Sequence, residues 1–325
     1  MRLFTRTAMA VIVTAATATA AWADAREVRI ASHVSEFSPL HAQSKLFAEE
    51  IENRLPGQFV FKLYPSGQLG KEKDLMANVQ AGAIEMINVA SGVMKLDRKL
   101  GVFDLPWLFY NREHVRRAMA AGLEDAVRAR IEEVGNVNVI GVYENGFRHV
   151  LNTKRPITEP FDLDGLKIRI SGGKFRQGVF QQIGAQPQSV SWGETFTALQ
   201  SGVVDGAEAA IYGFYEQKQF EVAKYLSLTS HVYTPSFLLS SKRFMDSLTD
   251  EQRTAFVEVG RAITDRAYQI SEELEQEYIA EMSTKTELNA AELVKFQAAT
   301  VKSYDAYIES QGYDYLKFVR ETAKN

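Results

Sequence analysis

Two arginines near the ends of predicted strands are the side chains best suited to chemistry in this sequence. Arg169 closes the strand pattern Leu166–Ile170, and Arg148 follows the strand-like stretch Val137–Tyr143. A guanidinium group stays charged at any working pH and presents a planar pair of donors that matches a carboxylate. In open α/β sheets, ligands bind beyond the carboxyl ends of the strands. The two positions therefore favour the binding of an organic acid anion.

Each of these residues also has an ordinary structural interpretation, which the sequence leaves open. Arg169 shares its strand face with Lys167, as a solvated residue would. Arg148 fits a structural salt bridge as well as a ligand contact. Trp192 directly follows a predicted helix cap and is by default a core residue.

Motifs of common enzymes are missing from the chain. There is no Gly-x-Ser-x-Gly, His-Glu-x-x-His or Gly-x-Gly-x-x-Gly sequence. Gly172-Gly173-Lys174 resembles part of a phosphate loop, but Ile168 replaces its first glycine and Phe175 replaces the magnesium-binding Ser or Thr. The chain has no cysteine and only five histidines, which excludes disulfides and thiolate chemistry and disfavours a metal site. We expect a protein that is not an enzyme and holds no cofactor.

Composition and charge narrow the class further. The 325 residues are 46% hydrophobic and 24% charged, which is ordinary for a globular protein, and the length predicts two lobes. The formal charge of -4 argues against a nucleic-acid partner.

The N-terminus predicts export. Arg2 and Arg6 lead into the apolar stretch Ala8–Ala21, and Ala21-Trp22-Ala23 is a small-x-small cleavage pattern. These features are typical of a signal peptide, residues 1–23, cleaved near Ala23. No second apolar run of about 18 residues follows, so we expect an exported chain without a membrane anchor.

Alternating strand and helix patterns predict two parallel α/β lobes. Strands are predicted at Glu27–Ala31, Phe59–Leu63, Ile84–Val89 and Leu166–Ile170, with helices from Leu40 to Ile51, around Leu75–Val79 and from Phe175 to Ile183. The similar sequences Gln80–Glu85 and Gln200–Asp205 support a repeated unit. From Thr249 to about Met282 the chain has no proline and one glycine, which predicts one long helix bracing both lobes.

Several segments together resemble the C4-dicarboxylate-binding type of periplasmic solute-binding subunit of tripartite ATP-independent periplasmic (TRAP) transporters. They are Tyr64–Gly70, Phe103–Phe109, Asn145–Arg148, Asp162–Arg169, Trp192–Gln200 and Val204–Glu208. The resemblance implies a flytrap fold of two α/β sandwich lobes, joined by crossing strands and bridged by a long helix. It also implies a monomer in the periplasm that delivers a small carboxylate to the membrane permease subunits.

The resemblance assigns roles to individual side chains. Arg169 would clamp the ligand carboxylate, with Arg148 as its helper and Trp192 over the ligand. Glu72 would face them from the opposing lobe, and His33 would make a polar contact after the first strand. The implied lobes are 24–145 plus 234–273 and 146–233 plus 274–325, with hinges near Asn145 and Tyr233–Pro235.

Two departures from the family pattern concern the ligand. Ala209 and the next residue, also alanine, stand where sugar-acid binders carry Asn-Pro, and Ala90 stands where some relatives carry an acid. Each lost hydrogen bond costs a buried polar group of the ligand about 1–3 kcal/mol. We therefore expect an acid with fewer hydroxyls than sialic acid, in a pocket lined by Phe37, Trp192 and Tyr212. Oxo acids, C4 acids and aromatic acids all fit this description.

Two other functions stay open from the sequence. One is an exported enzyme that acts on a small organic acid. The other is a binding protein of an ATP-driven transporter, with a neutral or cationic ligand, against which the two arginines argue.

Overall fold

The strands of a computed structural model, which describes residues 25–171 and 173–323, form one mixed sheet. Its order is β2-β1-β3-β8-β4-β7-β5-β6, and β9 pairs with β8. The strands are β1 (Arg26–Ala31), β2 (Phe59–Tyr64), β3 (Met86–Val89), β4 (Val137–Asn152), β5 (Lys167–Ile170), β6 (Gln186–Ser189), β7 (Gly206–Ala210), β8 (Tyr225–Ser241) and β9 (Glu287–Ala290).

The α-helices alternate with these strands, as the sequence pattern predicts. They are α1 (Pro39–Arg54), α2 (Glu72–Gln80), α3 (Arg112–Ala118), α4 (Glu124–Gly135), α5 (Lys174–Gln182), α6 (Thr195–Gln200), α7 (Ile211–Glu216), α8 (Lys242–Asp246), α9 (Asp250–Ala262), α10 (Thr264–Met282), α11 (Leu293–Gln311) and α12 (Asp314–Glu321). Short 3-10 turns include Arg98–Asp104 and Trp192–Glu194. No helix in the described part of the chain is long and apolar enough to cross a membrane. The predicted signal peptide lies outside the described residues.

Two parallel units at opposite ends of the sheet form the two lobes. In the first lobe, β1 pairs in parallel with β2 and β3, and α1 and α2 connect them. In the second lobe, β5 pairs in parallel with β6 and β7, and α5 and α6 connect them. The long strands β4 and β8 run antiparallel and belong to both units. The two-lobed α/β fold predicted from the sequence is confirmed.

The ladder between β4 and β8 is irregular where it passes from one lobe to the other. Its register shifts between Glu144 and Gly146, so that Asn145 has no partner, and Gly146 has a φ of 119°. Glycine adopts that conformation without a steric cost. Opposite Glu144 lies Pro235, which has no N–H to donate. The proposed hinges therefore fall at one of the three irregularities of this ladder.

The run predicted as one long helix is two helices. At Ile263 the chain takes φ −79° and ψ −3°, which ends α9 before α10 begins. The break lets α9 lie against β4 while α10 contacts α1 in the first lobe and α7 in the second. The bridging role predicted for this segment therefore falls to α10.

The C-terminal helix departs from the expected lobe boundaries. Residues 274–325 are assigned to the second lobe by the resemblance, and α11 does pack on α5. However, α12 packs on α3, and its apolar residues Tyr315, Leu316 and Val319 join the first-lobe core. Their spacing marks one apolar face, but it does not tell which lobe buries that face.

A tight contact in the fold gives the first prediction. In α9, a Cβ on Gly260 would lie 2.2 Å from the carbonyl oxygen of Ile140 in β4. Gly260→Ala must therefore push the helix from the sheet, and we expect the free energy of unfolding to fall by about 1–3 kcal/mol. Urea denaturation measures the change.

Gly178→Ala is the matched control, because Gly178 also lies in a helix and nothing stands within 4 Å of its added Cβ. This control should leave stability unchanged or raise it by up to about 1 kcal/mol. Equal stability of the two variants would contradict the close approach of α9 to β4.

Candidate functional site

A cavity of about 580 Å³ lies between the two lobes, and most of the predicted site residues line it. The first lobe contributes His33, Glu72 and Ala90, and the second contributes Arg148, Arg169, Trp192, Ala209 and Tyr212. The sheet explains this convergence. His33 and Ala90 follow β1 and β3, while the other lobe presents β4, β5 and β7 from the opposite side.

Phe37 is the one predicted site residue that the structure does not place in this cavity. Its side chain is 52% exposed, and its ring packs edge-on against Tyr215 at 6.5 Å. Its carbonyl oxygen accepts a hydrogen bond of 2.8 Å from the Tyr278 hydroxyl. These contacts with α7 and α10 turn Phe37 away from the cavity, which corrects the expectation from the sequence.

Arg169 is a buried cation whose charge meets no carboxylate within 4 Å among the described residues. It is 3% exposed, which excludes the solvated strand face that Lys167 suggested. Its Nε donates to the carbonyl of Val190 at 3.0 Å, and its guanidinium lies 5.0 Å from the Trp192 ring centre. Its NH1 has no hydrogen-bond partner. Burial lowers the pKa of Arg169 to about 10, so the group stays charged at neutral pH.

Arg148, by contrast, already has a carboxylate partner. Its Nε lies 2.5 Å from Oε2 of Glu208, and its NH2 donates to Oε1 of Glu208 at 3.0 Å. The same NH2 donates to the Ser171 hydroxyl at 3.0 Å. Arg148 therefore combines the two roles left open by the sequence, because it forms a buried salt bridge and also lines the cavity.

Glu208 is the centre of a buried ionic network that the sequence analysis missed. Besides Arg148, it faces Arg176 NH1 at 3.4 Å and His231 Nε2 at 3.4 Å. Arg176 also pairs with Asp104 at 2.5 Å. Burial alone would raise the pKa of Glu208, but the two arginines hold it well below its ordinary value. A glutamate inside the apolar sequence of β7 was the available signal, because a buried acid needs a partner.

The first-lobe wall carries an acid and a neutral histidine. Glu72 begins α2, and its Oε1 accepts from the backbone N–H groups of Gly92 and Ala90 at 3.0 and 3.3 Å. Burial would raise the pKa of Glu72, but His33, the Gly92 N–H and Lys95 lower it, so it is an anion. His33 Nε2 lies 3.8 Å from Glu72. Burial lowers the pKa of His33, which leaves it uncharged at neutral pH.

Four buried polar atoms without a hydrogen-bond partner belong to residues that line this cavity. They are Arg169 NH1, His33 Nδ1, Asn145 Nδ2 and Ser191 Oγ. Asn145 is fixed in this orientation because its Oδ1 accepts from the Tyr212 hydroxyl at 2.5 Å. Unpartnered polar atoms destabilise a fold unless water or a ligand bonds them. The cavity therefore suits a small, oxygen-rich anion.

Among residues 25–171 and 173–323, no group of three or more His, Asp or Glu side chains is placed to hold a metal ion. The charged groups described above pair with one another or face the cavity singly.

Comparisons with known proteins identify the family of this chain. A sequence model of the bacterial extracellular solute-binding proteins, family 7, matches residues 30–311. The 2,3-diketo-L-gulonate-binding periplasmic protein of Escherichia coli is 30% identical over 234 residues, which are 72% of this chain and 71% of that protein. The C4-dicarboxylate-binding periplasmic protein of Rhodobacter capsulatus is 27% identical over 90% of both chains.

Solved structures show the same similarity. A TRAP periplasmic solute-binding protein from Polaromonas bound to D-erythronate has a TM-score of 0.88 and 26% identity, covering 92% of this chain and 100% of that one. A second, from Sulfitobacter with bound β-D-galacturonate, has a TM-score of 0.86 and 26% identity, covering 91% and 100%.

The Glu208 network predicts a strong effect on stability. Glu208→Gln leaves Arg148 and Arg176 buried without their shared carboxylate, and we expect the free energy of unfolding at pH 7 to fall by about 3–5 kcal/mol. Glu194→Gln is the control, because the ion pair of Glu194 with Lys71 is exposed and contributes about 0–1 kcal/mol at most.

The pH dependence gives an independent check on the same network. Because folding lowers the pKa of Glu208, its contribution is complete above its ordinary value of 4.5 and is lost as the pH falls below it. The stability gap between the wild type and Glu208→Gln should therefore narrow below about pH 4.5. A gap that stays constant from pH 7 to pH 3 in denaturation experiments would contradict an anionic Glu208.

Proposed function

Because this chain belongs to the bacterial extracellular solute-binding proteins of family 7, we propose that its solute is a small organic acid anion clamped by Arg169. The members of this family are binding proteins rather than enzymes. The observation that carries the proposal is the buried guanidinium of Arg169, which faces the cavity with NH1 unpartnered.

The reason is the cost of burying the charge of Arg169. A buried cation is costly unless an anion and hydrogen bonds compensate it. Arg148 and Arg176 have such compensation in Glu208, and Arg169 has only the Val190 carbonyl and the face of Trp192. A ligand carboxylate would supply the missing charge to Arg169 through paired N–H···O bonds.

The other unpartnered atoms define what the acid should carry. Asn145 offers an N–H donor, which suits a hydroxyl or oxo oxygen. His33 Nε2 lies 3.8 Å from the Glu72 carboxylate, and its Nδ1 has no partner and would bond a hydroxyl of the ligand. Ala90 in the first lobe and Ala209 in the second also line the cavity, and their methyl groups offer no hydrogen bond.

This combination favours a compact hydroxy or oxo acid. The relatives are named for, or hold, 2,3-diketo-L-gulonate, D-erythronate and β-D-galacturonate, which are all carboxylates with further oxygens. With alanines on both walls, we propose an acid with a few oxygens near its carboxylate, and fewer than sialic acid carries.

The cellular setting follows from the same proposal. After removal of a signal peptide near Ala23, the chain would act as a monomer in the periplasm and deliver its acid to the permease subunits of a TRAP transporter. Its lobes would be 24–145 and 146–233, with parts of the C-terminal region in each and α12 on the first lobe.

The experiment that tests the proposal is a thermal-shift screen followed by calorimetry. The panel contains D-erythronate, galacturonate, glucuronate, galactonate, pantoate and succinate, together with amino acids and neutral sugars. We expect stabilisation by one or more of the acids. Stabilisation by neutral or cationic compounds alone, or turnover of an acid during incubation, would contradict the proposal.

Replacing the clamp gives the sharpest single-residue prediction. Arg169→Ala should weaken binding of the selected acid by about 30-fold or more, because truncating one side of a buried charged pair costs about 2–5 kcal/mol. Arg169→Lys should not restore binding, since an ammonium group cannot reproduce the paired donors of a guanidinium. Calorimetry measures both affinities.

The control for this substitution is Arg266→Ala, which removes an arginine whose ion pair with Glu273 is exposed. That variant should bind like the wild type. An affinity of Arg169→Ala within about threefold of the wild type, which is under about 1.4 kcal/mol, would place the ligand carboxylate elsewhere.

Lobe closure is the second prediction of the proposed function. One small acid that contacts Arg169 in one lobe and His33 or Glu72 in the other must favour the arrangement that brings these groups together. We expect small-angle scattering to show a smaller radius of gyration at saturating acid, with the bend at Asn145 and its β8 neighbours. An unchanged distance distribution would contradict closure while leaving the binding claim intact.

A further inference from the structure

Glu216 connects the two walls of the cleft although it does not line the cavity. It is the last residue of α7. Its Oε1 accepts a hydrogen bond of 2.7 Å from the indole Nε1 of Trp192. Its Oε2 accepts from both the backbone N–H and the hydroxyl of Ser35, at 2.8 and 2.6 Å. One carboxylate thus holds a cavity aromatic and a loop of the facing lobe.

The position of Trp192 depends on this carboxylate and on one glycine. A Cβ on Gly213 would lie 2.9 Å from the indole ring, so the absence of a side chain there makes room for it. The face of the ring lies over Arg169, and its edge is held by Glu216. Glu216 therefore acts on the arginine clamp through Trp192.

Ser35 belongs to the first lobe, because it follows β1 in the loop before α1. Glu216 and Trp192 belong to the second lobe. The three hydrogen bonds consequently exist together only when the lobes are as close as they are in this structure. A second contact across the cleft, between Lys71 and Glu194 at 3.0 Å, joins two exposed side chains and contributes little.

The chemistry of Glu216 makes the link sensitive to closure. Within the described residues, no arginine, lysine or histidine lies within 4 Å of its carboxylate, which rests on the Trp192 and Ser35 donors. Hydrogen bonds to a charged group are about twice as strong as neutral ones. When the cleft opens, Glu216 loses the two hydrogen bonds from Ser35, and water takes their place. The indole N–H of Trp192 is then bonded to a carboxylate that water surrounds.

We propose that Glu216 is a positioning residue that couples lobe closure to the placement of Trp192 over Arg169, and thereby slows release of the bound acid. The inference rests on the proposed function and adds a residue that acts without touching the ligand. It locates part of the energy that stabilises the closed form outside the cavity, in the Ser35–Glu216–Trp192 link.

The test is a comparison of dissociation rates by chase of a radiolabelled acid, D-erythronate or the panel acid that binds in its place, so that release is measured without tryptophan emission. Glu216→Gln keeps only one acceptor oxygen, which cannot serve both the Ser35 donors and the Trp192 indole. We therefore expect the dissociation rate of the acid to rise about 5- to 30-fold and the association rate to change less than about threefold. Trp192→Phe keeps the ring over Arg169 but loses the N–H, and should also release faster. Ser35→Ala keeps its backbone donor and should accelerate release about threefold.

A spectroscopic signature separates this role from a general loss of stability. Trp107 and Trp192 are the two tryptophans after residue 23, and Trp107 lies buried away from the cavity. The change in tryptophan emission on adding the acid should therefore come from Trp192 and should shrink in Glu216→Gln. Glu281→Gln is the matched control, because Glu281 accepts from the Tyr215 hydroxyl at 2.8 Å outside the cleft. It should behave like the wild type.

A double variant tests whether Ser35 and Trp192 are coupled through Glu216. If Glu216 transmits closure to Trp192, the double variant Ser35→Ala/Trp192→Phe should release the acid more slowly than the product of the two single effects predicts. Wild-type release rates in Ser35→Ala and Trp192→Phe would overturn the inference even if Glu216→Gln failed to fold. Loss of binding in Arg169→Ala alongside those wild-type rates would reject only this inference. Retained binding in Arg169→Ala would reject the proposed function instead.

Discussion

One buried carboxylate shared by two buried arginines organises the second lobe. Glu208 compensates Arg148 and Arg176, and Asp104 supplies the further charge that Arg176 needs. Arg169 lies close enough for these groups to influence its pKa, yet it receives no carboxylate of its own. The network therefore does two things at once. It stabilises the second lobe and links it to Asp104 in the first, and it leaves Arg169 without a carboxylate partner among the described residues.

The sheet determines why that cation meets the other lobe. Because β4 and β8 are continuous through both units, the lobes are joined by backbone ladders rather than by a loose linker. A continuous ladder would resist bending, but here it is interrupted beside Asn145, whose side chain also faces the cavity. The proposed hinge and the proposed site thus share a residue. Tyr212 fixes its amide, so movement of β4 and occupation of the cavity are mechanically connected.

Sequence patterns predicted the location of a residue where its chemical type and its place in a strand pointed the same way. They did not predict it where only the packing of the folded chain determines which way a side chain faces. Arg169 could be singled out because a strand end and a charged group occur together. Phe37 could not be placed, since an aromatic residue after a strand looks the same whether it faces the cavity or Tyr215. The break at Ile263 has no proline to announce it, and the one glycine of the run, Gly260, lies inside α9. Glu208 ends the segment Val204–Glu208, which carries part of the family resemblance. Its partners come from segments that are distant in the chain, and no local sequence pattern reveals them.

The two walls of the cavity contribute unequally to the closed state. In the proposed function, Arg169 would hold a carboxylate from the second lobe whether the lobes are open or closed, so that bond would add affinity without shifting the equilibrium. Conversion from mostly open to mostly closed requires about 5.5 kcal/mol of differential contact. A micromolar ligand has about 8 kcal/mol in total, so a ligand of that affinity that drives full closure would need most of its binding energy from the facing wall. Under the proposed function, discrimination among acids that all carry a carboxylate would therefore depend on His33, Glu72 and Ala90, which line that wall.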